Sequence, residues 1–276
     1  MTDVTFLKRK ATEIRMTLLT MIYEARTGHT GGSLSNTDIL TVLYYHKMNV
    51  DPNNPKWEER DRYVQSKGHS VESYWAILAD KGFFPKEELK TFSQFNSRLI
   101  GHPNNKVPGV EMNTGALGHG LAIAVGMALA AKLDQKEYKV YTLMGDGEQA
   151  EGSVWEGAMA AAQYKLDNLV GIIDRNRLQI TGNTEDLMGI EPLGDKWRSF
   201  GWEVIEVDGN DIEQLVQVFD NIPKAVDKPT MLIANTVKGK GISFAENQTV
   251  WHHRVPTEEE YKLAMEELSK QLEVLV

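Results

Sequence analysis

Two short turns constrain this chain more than any other feature. Gly145-Asp146-Gly147 closes an apolar run from Val140 to Met144, and Asp174-Arg175-Asn176 closes a second from Leu169 to Ile173. Each run reads as a buried strand. Asp146 and Asn176 stand 176 − 146 = 30 positions apart. That distance suits one strand, one helix and a second strand, with both turns at the same edge of a parallel sheet. The residue types suit a hard divalent cation beside a diphosphate. Such a cation takes one or two protein carboxylates or amides and fills the rest of its shell with phosphate oxygens. Asp146 offers a charged oxygen, Asn176 a neutral amide oxygen, and the Leu178 main-chain carbonyl a third ligand. Gly147 lets a phosphate approach its backbone N–H. An Asp-Gly turn alone has an ordinary structural explanation; Asn176 after the next strand is what points to a paired site.

The remaining segments predict an α/β fold with a mostly parallel sheet. Phe6 to Ala25 has apolar residues at helical spacing, and Gly28-His29-Thr30-Gly31-Gly32 is expected to break that helix. Ser35 or Asn36 is expected to cap a helix through Tyr44. Arg62 to Gln65 reads as a short strand and Ser73 to Lys81 as a helix. Thr114 to Gly120 is a glycine-rich loop opening a helix of small residues. A helix over Ser153 to Tyr164 lies between the two strands of the paired turns. Trp202 to Val207 and Met231 to Thr236 read as two further strands with a helix between them, and Thr257 to Leu275 as a charged amphipathic helix. Right-handed crossovers would line the glycine-rich turns along one carboxyl edge.

Composition excludes several classes. The 276 residues are 41% hydrophobic and 25% charged, as in globular proteins. No apolar run reaches the length of a membrane span, and Phe6-Leu7 leads into Lys8-Arg9-Lys10, unlike a signal peptide. A formal charge of −9 argues against nucleic-acid binding. The absence of cysteine removes disulfides and thiolate chemistry, which makes a cytoplasmic location the expectation.

Several of the seven histidines sit in turns: His29 before Thr30-Gly31-Gly32, His69 in Lys67-Gly68-His69-Ser70, His102 in Gly101-His102-Pro103, and His252-His253 after Trp251. Neutral imidazoles on loops gathered at one edge can donate hydrogen bonds or act as bases near pH 7. No histidine spacing fits a metal pair, and neither a nucleophile elbow nor a P-loop is present.

Taken together, these residues resemble the thiamine-diphosphate-binding half of transketolases. The resemblance runs nearly end to end, through Gly28-His29-Thr30-Gly31-Gly32-Ser33-Leu34-Ser35, Ser66-Lys67-Gly68-His69-Ser70, Gly101-His102-Pro103, Gly115-Ala116-Leu117-Gly118, Gly145-Asp146-Gly147 with Glu151-Gly152, Asn176, Lys238-Gly239-Lys240-Gly241 and Trp251-His252. It implies the thiamine-diphosphate-binding fold, with helices on both faces of the sheet, and one diphosphate-binding domain over residues 1–276. It implies that Asp146, Asn176 and the Leu178 carbonyl hold Mg²⁺ or Ca²⁺. Gly147, Asn176, His69 and His252 would contact the diphosphate region. Gly115, Ala116 and Leu117 would meet the cofactor's aminopyrimidine and centre, with Ile180 packing from the far side. His29, His102 and His252 would line the substrate channel, and Glu151 would pair with an acid of the partner at the subunit contact.

Three positions depart from the family's habit: His119 where many relatives have Gln, Ala116 in place of Pro or Ser, and His253 where Gly is usual. The last leaves open whether His252 or His253 points into the channel; the expectation is His252. The resemblance further implies that the pyrimidine-binding and C-terminal domains lie on a separate partner chain, in an A2B2 assembly. The pair would transfer a two-carbon ketol unit from a ketose, phosphorylated or otherwise modified, to an aldose. The α chain of a 2-oxo-acid dehydrogenase, a deoxyxylulose-phosphate-synthase-like enzyme and a non-catalytic assembly protein are the competing expectations.

Overall fold

The computed structural model describes residues 3–275. Five strands form one sheet: β1 (Arg62–Gln65), β2 (Val140–Gly145), β3 (Leu169–Arg175), β4 (Glu203–Asp208) and β5 (Thr230–Asn235). Their order is β1-β2-β3-β5-β4, and every neighbouring pair is parallel. In the centre, Gly145 lies opposite Asp174 and Arg175 opposite Asn235. All seven residues of β3 are buried, so the apolar run reads as continuous and not alternating.

Alternate side chains of these strands enter two cores. On one face Leu143, Ile172 and Leu232 pack with α1 (Val4–Ala25), α3 (Thr37–Val42), α4 (Val71–Lys81), α9 (Ile212–Asp220) and α10 (Glu258–Val274). On the other face Met144, Ile173 and Ile233 pack with α5 (His119–Leu133), α6 (Gly152–Gln163) and α8 (Leu193–Ser199). Helices therefore cover both faces, as expected. A single helical turn, α7 (Thr184–Leu187), lies between β3 and α8. Local chemistry sets several ends. The Asp211 side chain accepts from Glu213 N and Gln214 N at the start of α9, and Thr257 with Glu260 forms a capping box on α10. Among the described residues, no helix is long and apolar enough to cross a membrane.

The structure corrects the reading of the glycine-rich stretch after α1. The stretch does end α1, with Gly28 and His29 in no helix, but Gly31 and Gly32 are not part of the break: they lie inside α2 (Thr30–Ser35). Tertiary contact explains their choice. A Cβ on Gly31 would stand 2.9 Å from the Trp251 carbonyl oxygen, so only glycine lets that chain approach. Nor do Ser35 or Asn36 cap the next helix through a side chain. Asn36 instead donates to Ser70 Oγ at 3.1 Å and accepts from Ser73 Oγ at 2.7 Å, which ties α2 and α3 to the start of α4. The helix α8, with buried Trp197, is an element that the periodicity of the sequence does not predict.

Candidate active site

Because all strands run in parallel, every loop that leaves a strand's carboxyl end opens toward the same edge. Asp146 follows β2, Asn176 follows β3, Lys67 and His69 follow β1 and Lys238 lies three residues past β5. These residues line one cavity of about 460 Å³ together with His29, Gly115, Leu117, Gly147, Leu178, Ile180 and His252; Glu151, itself exposed, also lines it.

Asp146 is 3% exposed. Its Oδ1 accepts from Gly147 N at 2.7 Å, and its Oδ2 accepts from Arg175 Nη1 at 3.1 Å and from Arg177 N. Burial, followed by the negative charge of Asp174, holds the Asp146 carboxyl above the usual carboxylate range. Such a group gains from added positive charge. Asn176 Oδ1 accepts from Leu178 N at 3.2 Å, and the Leu178 carbonyl accepts from Lys238 Nζ at 3.0 Å. The donor set is thus a carboxylate, an amide oxygen and a main-chain carbonyl facing one cavity, which fits a hard oxygen-seeking cation. Among the described residues no three His, Cys, Asp or Glu side chains gather to hold a metal; a mixed oxygen seat with one carboxylate is a different kind of site. A Cβ at Gly147 would stand 2.9 Å from Gln179 Cδ, so a side chain here would displace Gln179 from the cavity wall.

The imidazoles form a packed group. Ring centroids of His29 lie 5.1 Å from His69, 5.6 Å from His252 and 4.4 Å from His253; His69 and His252 are 5.3 Å apart. Burial is the largest cause that lowers their pKa values, to about 4 for His29 and about 3 for His252, with His69 also well below its ordinary value. Nearby positive groups act in the same direction: Lys238 on His252 and Lys67 on His69. His29, His69 and His252 are therefore neutral at pH 7 and able both to donate and to accept. His252 lines the cavity, with Nδ1 2.9 Å from Lys238 Nζ, whereas His253 is exposed and packs on His29. His102 reaches the site through Gly115: at φ 149°, a Cβ there would stand 2.8 Å from His102 Cδ2. Ala116 and His119 are exposed.

Sequence reasoning missed the buried charges that assemble these loops. Lys67 Nζ pairs with Asp174 and donates to the Gly32 carbonyl at 3.2 Å. Asp174 also accepts from Ser35 and Thr236. Glu148, 2% exposed, accepts from Ser66 Oγ, from Gly118 N at 2.7 Å and from Gly145 N at 2.9 Å, so one carboxylate braces three site loops. Glu72, fully buried, accepts from His29 N at 2.8 Å and Ser33 Oγ at 2.6 Å. Lys238, missed as well, has its pKa lowered to about 8 by burial and then by Lys67. One signal was available. A charge inside an otherwise buried run, as in Ile172-Ile173-Asp174, must be paired, because an isolated buried charge is too costly.

Comparison with known proteins adds the family context. The family described as "Transketolase, thiamine diphosphate binding domain" matches residues 7–271. An apulose-4-phosphate transketolase subunit from Phocaeicola vulgatus is 51% identical over 99% of this chain and 97% of its own. The 6-deoxy-6-sulfo-D-fructose transketolase subunit SqwG of a Clostridium species is 44% identical over 96% of this chain and 97% of its own. Among solved structures, the transketolase of Campylobacter jejuni superposes with a TM-score of 0.92 at 35% identity; the match covers 97% of this chain but 43% of that one.

Proposed function

This chain belongs to the transketolase family, through its thiamine diphosphate binding domain, and we propose that it works as one half of a two-chain transketolase. The observation that carries this reading is the convergence of Asp146, Asn176 and the Leu178 carbonyl with a neutral imidazole group in one cavity. In this reading Asp146, Asn176 and the Leu178 carbonyl would hold Mg²⁺ (or Ca²⁺), which would supply positive charge for the diphosphate, and Gly147 would offer its backbone N–H to it. Gly115, Ala116, Leu117 and Ile180 receive the body of the cofactor. When bound, thiamine diphosphate supplies the electron sink that lets a ketose lose a two-carbon unit.

The protein's own part is orientation and proton transfer. His69 and His252 stand closest to the diphosphate end. His29 and His102 face the sugar's hydroxyls, and neutral His29 takes the proton of the hydroxyl beside the bond that breaks. His252, hydrogen-bonded to Lys238, keeps its other ring nitrogen for substrate. The imidazoles suit a polyol because each can donate to one hydroxyl and accept from another.

Relatives that match this chain over nearly their whole length are themselves named as transketolase subunits. Those names support a separate partner chain that completes the cofactor site, with Glu151 at the contact and an A2B2 assembly. The substrates named for those relatives, a ketose phosphate and a sulfonated ketose, support a ketose with an anionic end as donor and an aldose as acceptor. The test is a ketol-transfer assay on the chain with and without its partner, against a sugar panel. Turnover should require both chains, magnesium and thiamine diphosphate. Full activity of the isolated chain would overturn the two-chain reading.

A further inference from the structure

Arg175 is the last residue of β3, and its side chain is 1% exposed. Its Nη1 donates to Asp146 Oδ2 at 3.1 Å. Its Nη2 donates to Glu185 Oε1 at 2.8 Å and to Glu191 Oε1 at 2.9 Å. Those two glutamates shape the segment that follows Asn176. Glu185 Oε2 accepts from Ile190 N at 3.1 Å and from Glu191 N at 3.3 Å, while Glu191 Oε2 accepts from Leu193 N at 2.7 Å. The same segment carries Ile180, 68% exposed, at the cavity wall. A single planar fork therefore joins the carboxylate of the cation seat to the loop that edges the cavity.

We propose that Arg175 is a positioning residue that couples cation seating at Asp146 to the order of the 179–191 segment. The inference rests on the reading of Asp146 as a cation ligand. One guanidinium faces three carboxylates here, with Arg177 acting on Glu191 and Lys238 on Asp146 as the further cations, and a divalent cation on Asp146 would shift the balance of charge around the fork. With Asp146 free, its carboxylate competes with Glu185 and Glu191 for the fork. A dication draws the charge of Asp146 to itself, and the guanidinium then leans on the two glutamates. The segment tightens, and Ile180 is held against whatever fills the cavity. Outer-shell groups commonly change metal affinity or activity by about 10–100-fold; coupling to a loop gives this one a second, structural output.

The experiment is hydrogen–deuterium exchange on peptides spanning 179–191 of the full chain assembled with its partner chain, with and without magnesium plus thiamine diphosphate, alongside calorimetric binding to the same complex. In the native chain, loading should slow exchange of the segment by about threefold or more. Arg175→Met should still bind magnesium and cofactor, weakened by no more than about tenfold, yet its segment should exchange at the same rate loaded or free. A native segment that ignores loading, or equal slowing in Arg175→Met, overturns the coupling. If Arg175→Met does not fold, Glu185→Gln with Glu191→Gln, at partly exposed side chains, takes its place with the same two outcomes. Asp146→Asn keeps the two failures apart: undiminished magnesium binding there removes the cation reading itself, and the coupling falls with it.

Discussion

The two halves of the cavity are built in opposite ways. The half proposed to seat a cation rests on neighbouring strands: Gly145 and Asp174 are paired in the sheet, and Asp146 and Asn176 continue from β2 and β3. It is rich in charge, with Asp146, Asp174, Arg175, Lys67 and Lys238 buried together. The imidazole half is drawn from segments more than two hundred positions apart, from His29 to His252, and burial lowers the pKa of His29, His69 and His252 and keeps those three rings neutral. The contrast teaches that charge is placed where the backbone is stiffest, and hydrogen-bonding versatility where loops meet. One half should govern cofactor and cation affinity and the other turnover.

The largest effect should come from the cation half. Asp146→Ala removes the buried carboxylate and leaves Arg175 leaning on Glu185 and Glu191 alone. Binding of thiamine diphosphate with magnesium should fall below calorimetric detection. Undisturbed binding would erase the distinction between the halves.

The next effect tests the other side. His29→Ala should lower kcat by about 10²–10⁴-fold, the usual worth of a positioned acid or base, while cofactor Kd moves by less than about threefold. Comparable losses in both quantities would merge the two halves into one.

Glu148→Gln sharpens the comparison, because Glu148 lies between the halves and ties Ser66, Gly118 and Gly145. The amide keeps one acceptor oxygen and turns donors toward a backbone N–H. Cofactor Kd should rise by about tenfold, as when an outer-shell partner is lost, and the thermal midpoint of the apo chain should fall as well, because buried donors are left facing each other. A collapse in thermal stability without a change in Kd would make Glu148 a purely structural residue.

The smallest effect is a pH signature of the imidazole half. The folded pKa of His29, about 4, lies below the unfolded value of about 6.5. As pH falls, the unfolded chain therefore takes up the proton first. Stability from this group is intact above about pH 6.5 and is lost progressively between there and pH 4. Replacing His29 with Asn should remove that share of the acid destabilisation. The difference between native and variant thermal midpoints, followed from pH 7 to 4, measures it; a difference that stays constant across this range would contradict the burial of His29.

The sequence made the first half readable and much of the second half only by resemblance. The strand–turn signals around Asp146 and Asn176 are local, so their spacing alone predicts adjacency, and the observed pairing of Gly145 with Asp174 bears this out. Asn36 does hold the N-cap position of α3, but without a side-chain cap bond, because the side chains of Ser35 and Asn36 serve distant partners, Asp174 and Ser70, and not the next helix turn. Gly31 misleads for the same reason: its smallness answers to the Trp251 backbone and not to its own turn. Lys67, Glu72 and Glu148 were invisible as site residues because nothing near them in the chain states their burial. Which of His252 and His253 faces the cavity was undecidable from order along the chain, and the hydrogen bond to Lys238 sets His252 inward.

Hydrogen-bonded parallel strands keep a separation of about 4.8 Å, so the clasp at the ends of β2 and β3 inherits its gauge from the sheet. The connections that bear the imidazoles could therefore change without resizing the proposed ion seat between the two turns. Durable hardware and replaceable tooling are thereby parted along a single rim.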